Sequence, residues 1–170
     1  MSALSASNSY LTCKLNKELF AIPVEQVIDI IEVSVITKIP QTPIFIRGVT
    51  NLRGNILPVI ETRTKFTMES IEDTIDTCIV VLSVIVENDE IQVGIVVDQV
   101  LEVANIEPTQ IKPKPNIGRK YSNDYIIGIA QIAEEFILVL DVNKVFSNDE
   151  IINMAELSSE ELIAFWKINL

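Results

Sequence analysis

The sequence predicts an all-β protein built from one duplicated unit. Valine and isoleucine dominate its short apolar runs, only 5 of 170 residues are glycine, and 48% are hydrophobic. β-Branched residues favour strands, and short runs of them separated by turn residues are typical of β-sheet proteins. A pattern in the first half of the chain recurs in the second half, which indicates that both halves share one fold.

Two blocks of sequence carry this repeat. Residues 21–30 (AIPVEQVIDI) align with residues 94–103 (GIVVDQVLEV) at an offset of 73, with apolar, acidic and amide positions in step. Residues 48–66 align with residues 128–146 at an offset of 80, so the second copy carries about seven extra residues between the blocks. Glycine begins the second block in both copies, which indicates that the fold requires a backbone without a Cβ there.

The first copy centres on a predicted β-hairpin. Apolar runs at 46–52 and 56–60 flank a polar corner, residues 53–55 (RGN). Glycine and asparagine tolerate the positive φ of a tight turn, so we expect the corner to hold the Arg53 guanidinium in solvent. The second copy has residues 133–135 (AEE) at this place, which indicates that the hairpin does not need the arginine.

The other elements of the first copy are bounded by prolines and turn residues. In chain order we expect strands at 10–15, 18–22, 27–32, 35–39, 46–52 and 56–60, a short turn at 23–27 and a helical turn at 62–66. Pro58 cannot donate a ladder hydrogen bond, so it predicts an edge strand or a bulge. Residues 67–76 are polar and acidic, and they predict the break between the copies.

The second copy shows the same succession of apolar runs. We expect its strands at 77–86, 90–97, 100–106, 126–133 and 136–141. The extra residues fall in 107–125, the one locally basic loop. Ser147 and Glu150 have the spacing of a capping box, which predicts a C-terminal helix.

Charge and segment composition exclude several classes of function. The net charge of −11 argues against nucleic acid and against anionic membrane surfaces. No apolar run reaches the roughly 18 residues of a spanning helix, and residues 1–8 lack the pattern of a signal peptide, so we expect a cytoplasmic protein without direct membrane insertion. Cys13 and Cys78 are then interpreted as free thiols, although a disulfide between them stays open.

Groups that carry catalysis or bind cofactors are scarce. The chain contains no histidine, its two cysteines have no metal-ligand spacing, and it has no glycine-rich phosphate loop. The acidic run within 67–76 is interpreted as a solvated surface. Glu61 and Asp141 are equivalent in the repeat, and we expect them to cap turns rather than to act as a catalytic pair. We therefore expect no cofactor, no metal and no enzyme, and a function that lies in surfaces.

One long stretch resembles a known family. Residues 39–60 (IPQTPIFIRGVTNLRGNILPVI) closely resemble the signature of CheW, the coupling protein of bacterial chemotaxis. Residues 93–100 (VGIVVDQV) and 125–129 (YIIGI) match later family blocks, and the resemblance spans about residues 10–148. Departures include Asn16, Pro23, the ETR of 61–63 and a tail at 157–170 without a family counterpart.

The resemblance implies a specific fold. This is an all-β fold of two duplicated SH3-like five-stranded β-barrel subdomains with short helical turns, a shared hydrophobic junction and a C-terminal helix. We expect the first barrel over 9–66, with a return of the chain near the C-terminus, and the second over 77–147. A helical tail is expected over 148–170.

The resemblance also implies a non-enzymatic adaptor, recruited to membrane receptor arrays, with two partners. The receptor partner is the cytoplasmic tip of methyl-accepting chemoreceptors, and its implied contacts are Val27, Arg53, Ile79, Val100 and Val103. The kinase partner is the regulatory domain of the histidine kinase CheA, and its implied contacts are Ile36, Phe45 and Gly48. Core packing is the alternative interpretation for Val27, Ile79, Val100 and Val103.

Three other interpretations stay open. The chain could be a CheW-like adaptor of another chemosensory system, such as type IV pilus motility. It could be a regulatory fragment of a larger kinase, which a start at Met1 and a complete two-unit length disfavour. It could also be an enzyme that uses carboxylates alone, which predicts a close Asp/Glu pair in a concave pocket.

Overall fold

The computed structural model describes residues 8–33, 35–86, 88–114 and 125–145, and these ranges form an all-β fold. The strands are β1 (Ser9–Leu15), β2 (Glu18–Pro23), β3 (Val27–Glu32), β4 (Ile46–Leu52), β5 (Asn55–Ile60), β6 (Cys78–Val86), β7 (Asp89–Val97), β8 (Gln99–Asn105), β9 (Ile111–Lys112), β10 (Ile126–Ile132) and β11 (Glu135–Leu140). One short helix, α1 (Thr62–Lys65), and 3-10 turns at Val24–Gln26, Pro108–Gln110 and Val142–Lys144 connect them. The all-β prediction is confirmed, and the predicted tail at 148–170 with its capping box lies outside the described residues.

The strands form two sheets that each curl on themselves. The first sheet has the order β3-β6-β7-β5-β4 and is called the first barrel below; the second has the order β9-β10-β11-β2-β1-β8 and is called the second barrel. In the first barrel, Thr37 follows β3 and bridges to Val49 of β4 through backbone hydrogen bonds of 2.8 and 2.9 Å. In the second barrel, β9 follows β8 and pairs with β10. The segment that leaves one edge strand therefore pairs with the opposite edge of the same sheet.

The two sequence copies exchange their first hairpins. Hairpin β1–β2 pairs with β8 and β11 of the second copy, and hairpin β6–β7 pairs with β3 and β5 of the first copy. The expected units 9–66 and 77–147 therefore describe the sequence repeat, whereas each sheet is assembled from strands on both sides of residues 67–76.

Three apolar clusters hold this arrangement together. The first barrel has a core of Leu57, Val59, Ile79, Val81 and Val96. The second barrel has a core of Ala21, Ile106, Ala130, Ile137 and Val139. The largest cluster, called the seam below, joins the two barrels through Leu11, Cys13, Leu15, Phe20, Ile22, Ile46, Ile60, Val80, Leu82, Val84, Val93, Ile95, Val97, Leu140, Val142 and Val145. The hydrophobic junction implied by the resemblance is thus a packed core, and burial of this surface is the main force that holds the barrels together.

The paired glycines of the repeat sit where another chain segment approaches closely. A Cβ on Gly48 would lie 2.4 Å from the carbonyl oxygen of Thr37, and a Cβ on Gly128 would lie 2.4 Å from that of Lys112. Gly48 also has φ +152°. Both glycines follow a register shift in their hairpin. The prediction that the fold requires these glycines is confirmed.

The expectation for Pro58 is wrong. Strand β5 lies between β7 and β4, so Pro58 is not on an edge strand, and the register shift of its hairpin lies between Ile46 and Gly48. The parallel ladder from β5 to β7 involves only Val59 and Ile60. Pro58 is tolerated because it precedes the residues that pair with β7.

Candidate functional site

The turn between β4 and β5 presents Arg53 to solvent. Arg53 has φ +52° and Gly54 has φ +86°, and the Asn51 Oδ1 accepts a hydrogen bond of 2.8 Å from the Gly54 N–H. Asn55, which we expected within the turn, is instead the first residue of β5. The Arg53 side chain is 78% exposed, so its predicted exposure is confirmed.

Arg53 makes an ion pair with Asp29 of β3. The Arg53 Nη2 lies 3.1 Å from the Asp29 Oδ2, and the Asp29 Oδ1 accepts a hydrogen bond of 2.8 Å from the Ile30 N–H. Asp29 follows a register shift in the pairing of β3 with β6. Such an exposed pair contributes only about 0–1 kcal/mol to stability. Its main effect is to hold the guanidinium beside β3.

Two exposed isoleucines flank this ion pair on β3. Ile28 is 41% exposed and Ile30 is 43% exposed, and we call these two residues with the Arg53–Asp29 pair the β3 patch. Sequence reasoning missed Asp29, Ile28 and Ile30. The sequence of β3 (VIDIIE) places apolar residues on both faces of the strand, so it carried no signal for the exposure of the two isoleucines.

The second barrel has an equivalent surface without the cation. Leu101 and Val103 of β8 stand at the repeat positions of Ile28 and Ile30 and are 43% and 59% exposed. Glu102 stands at the position of Asp29, and Ala133, with φ +56°, stands at that of Arg53. This second surface, the β8 patch (Leu101, Glu102, Val103 and Ala133), is apolar and acidic.

The predicted receptor contacts are divided between surface and core. Val27 and Val100 stand at equivalent repeat positions, and both are half-buried against the seam. Each barrel thus contributes one exposed residue and one residue at the seam. These are Arg53 and Val27 in the first barrel, and Val103 and Val100 in the second. Ile79 is fully buried in the core of the first barrel. Ile79 therefore has no accessible side chain and follows the core-packing interpretation.

The predicted kinase contacts are also divided. Phe45 is half-buried, and the Lys65 Nζ lies 4.8 Å from the centre of its ring. Ile36 packs on the core of the first barrel and fills the space beside Gly48. Gly48 is buried and offers no side chain, so its role is to admit the neighbouring backbone.

Two arginines, Arg47 and Arg63, bind three carboxylates between them. Arg63 is 1% exposed, and its Nε lies 3.2 Å from the Glu61 Oε1 while its Nη1 lies 3.3 Å from the Asp98 Oδ1. Arg47 bonds Glu61 at 3.4 Å and also bonds Asp73, and the hydrogen bond from Arg47 lowers the pKa of Asp73. These groups neutralise one another and join residues 67–76 to the first barrel.

The turn-capping expectation holds for only one carboxylate of the repeat pair. The Asp141 Oδ1 accepts a hydrogen bond of 3.1 Å from the Asn143 N–H and caps the 3-10 turn that follows. Glu61 makes no side-chain capping bond at α1, because its oxygens are bound to Arg47 and Arg63.

Both cysteines are free thiols, as interpreted from the sequence. Burial raises the pKa of Cys13 to about 12, so its thiol stays protonated at neutral pH. Within the described ranges, no three Cys, Asp or Glu side chains are grouped so as to hold a metal ion. No helix in those ranges is both long and apolar enough to cross a bilayer.

Two curled sheets fused across an apolar seam, with exposed aliphatic residues beside a cationic turn, define a double-barrel scaffold. A family model described as the CheW-like domain matches residues 9–150. The chain belongs to this family and is a homologue of chemotaxis coupling proteins.

Individual relatives agree with this assignment. The chain is 32% identical over 140 residues to the chemotaxis protein CheW of Klebsiella aerogenes, and the aligned region covers 82% of each protein. It is 30% identical over 131 residues to CheW of Helicobacter pylori, covering 77% of this chain and 76% of that protein. The crystal structure of the scaffolding protein TtCheW from Thermoanaerobacter tengcongensis superposes with a TM-score of 0.75 at 26% identity, covering 88% of this chain and 96% of TtCheW.

Proposed function

We propose that this chain is a non-enzymatic adaptor that couples transmembrane chemoreceptors to the histidine kinase CheA. Family membership supports this function, and the exposed Arg53 guanidinium of the β3 patch is the observation that carries it to a particular residue. In this patch the exposed aliphatic side chains would contribute binding affinity, and the charged groups would orient the bound partner. The chain would act on the cytoplasmic side of the membrane, where it joins receptor arrays through protein contacts alone.

The receptor contact is assigned to Val27, Arg53, Val100 and Val103. Val27 and Val100 border the seam from opposite barrels, where they can receive the apolar side chains of a helical hairpin. Arg53 would orient the receptor by binding a carboxylate or a backbone carbonyl. Ile79 is left out of this set because it is buried.

The kinase contact is assigned to Phe45 and Ile36. Phe45 is part of the surface next to α1, and Ile36 lies on the segment that closes the first barrel. A partner bound here would contact residues next to β4, so its binding would depend on the position of that strand. Receptor binding would then change kinase activity by shifting the populations of the assembled states, without any bond made or broken by the adaptor.

The arginine network disfavours an enzyme that uses carboxylates alone. Such an enzyme needs a carboxyl group that can exchange protons near neutral pH. Glu61 and Asp73 are bound to Arg47, and Asp98 is bound to Arg63. The hydrogen bond from Arg47 lowers the pKa of Asp73, so this carboxylate stays ionised at neutral pH.

Replacing Arg53 by alanine tests the proposal. We expect the free energy of unfolding to change by less than about 1 kcal/mol, because the pair with Asp29 is exposed. Receptor-dependent activation of CheA, measured as kinase phosphorylation with receptor-containing vesicles, should fall about tenfold.

Lys17→Ala is the matched control, because Lys17 is an exposed cation in the turn between β1 and β2. It should leave activation unchanged. Full activation by the folded Arg53→Ala protein would refute the proposed role of Arg53. Activation only with the receptor and kinase of a pilus-based system would instead establish the alternative adaptor function.

A further inference from the structure

A tight turn at residues 74–77 holds one isoleucine entirely in solvent. The Thr77 N–H donates to the Thr74 carbonyl oxygen at 3.2 Å, and the Thr74 N–H donates to the Thr77 Oγ1 at 2.8 Å. The Asp76 N–H donates to the Thr74 Oγ1 at 3.2 Å. Ile75, at the tip of this turn, is 99% exposed.

The segment before the turn is fixed to the first barrel. The Arg63 Nη1 donates to the Ile71 carbonyl oxygen at 2.7 Å, and Arg47 bonds Asp73 through both of its terminal nitrogens. Ile75 is therefore displayed by an anchored segment. A partner that binds it pays little conformational entropy to order the segment.

A cleft of mixed polarity lies beside this segment, and its apolar lining is Ile39, Pro40, Pro43, Ile44 and Ile46. Its volume is about 540 Å³, and it is lined by residues 38–44 together with Ile46, Arg47 and Glu61. Arg47 and Glu61 also line the depression formed by residues 70–73, so cleft and anchored segment are neighbours. Ile44, on the rim of the cleft, is 86% exposed.

Charge makes the turn and the cleft complementary. Glu72 and Asp76 lie on either side of Ile75 in sequence, and both are exposed. Lys38, at one end of the cleft, is also exposed. In the part of the chain that the structure describes, none of these three charges has an ion-pair partner. An acidic turn with an apolar tip thus lies near a partly apolar cleft that carries a free cation.

We propose that two copies of this chain associate through this face, with the Ile75 turn of each copy seated in the cleft of the other. A two-fold interface needs one surface that is complementary to itself, and a turn and its matching cleft side by side on one face meet that condition. The contact area is small, so the dimer is weak and reversible. The inference does not depend on coupling to receptors or to CheA.

Sedimentation equilibrium of the full chain over a range of concentrations tests the proposal. A reversible dimer is expected, and Ile75→Asp should weaken its association constant at least about tenfold, because a charge would replace the apolar tip that contacts Ile39, Ile44 and Ile46. Ile85→Asp is the matched control: Ile85 is 59% exposed on β6, away from the turn and the cleft, and its replacement should leave the constant unchanged.

A charge exchange gives a second, independent measurement. Lys38→Glu and Asp76→Lys should each weaken the dimer, and the double variant should recover most of the association. A chain that stays monomeric up to about 1 mM overturns the proposal. So does an association constant that Ile75→Asp leaves unchanged, or an effect of Ile75→Asp that is confined to kinase or receptor binding.

Discussion

The rims of the two barrels, which are the β3 patch and the β8 patch, have similar backbones but differ in charge. Strands β3 and β8 both have a register shift and an exposed aliphatic pair, and each has a carboxylate residue, Asp29 or Glu102, at the same repeat position. Only the first barrel adds a cation, Arg53, where the second has Ala133. The comparison shows that the fold fixes the shape of the rim while the turn residue independently sets its charge. A partner that requires the guanidinium can therefore distinguish between two otherwise similar surfaces.

The largest expected effect concerns the glycines that both copies share. Gly48→Ala and Gly128→Ala each place a Cβ about 2.4 Å from a carbonyl oxygen, but only Gly48 adds a strained φ. We expect losses in the free energy of unfolding of about 3 kcal/mol for Gly48→Ala and about 2 kcal/mol for Gly128→Ala. Urea unfolding measures both values, and an equal or larger loss at Gly128 would contradict the difference between the copies.

The next effect is the acid sensitivity of the first barrel. Arg47, whose repeat equivalent is Ile127, lowers the pKa of Asp73 below its ordinary value of 3.8. A depressed native pKa gives stability that is present above pH 4 and is lost as the pH falls through the native pKa. Asp73→Asn should therefore cost about 1 kcal/mol at pH 7 and progressively less as the pH falls below 4. Melting temperatures of both proteins across this range test it, and a difference that does not depend on pH would contradict it.

The smallest effect comes from giving the second barrel the missing cation. Ala133 already has φ +56°, close to the +52° of Arg53, so Ala133→Arg adds no new backbone strain. A guanidinium there should reach Glu102 and raise the free energy of unfolding by about 0.5 kcal/mol at low salt. Chemical denaturation at two salt concentrations measures this gain. A loss of stability, or a gain that salt does not reduce, would show that the two rims differ in geometry as well as in charge.

Features set by neighbouring residues could be predicted from the sequence, and features set by distant pairing could not. The hairpin at Arg53, the turn before Val27 and the requirement for Gly48 follow from local turn chemistry and from the repeat. The position of Pro58 inside a sheet was not predictable, because its neighbour β7 comes from the other copy. The resemblance implied a surface role for Ile79, and its burial was not predictable because the strands that cover it come from both copies.

The exchange of hairpins also bears on how such a chain could have arisen. A chain with only one copy of the repeat could not complete either sheet, because each sheet takes its first hairpin from one copy and its remaining strands from the other. Two identical short chains could complete both sheets by swapping hairpins with each other. The present architecture is the one that a covalent link between two such chains would give, with residues 67–76 at the position of the link. In a single chain the two halves need not be identical, so an arginine can stand at the rim of one barrel alone.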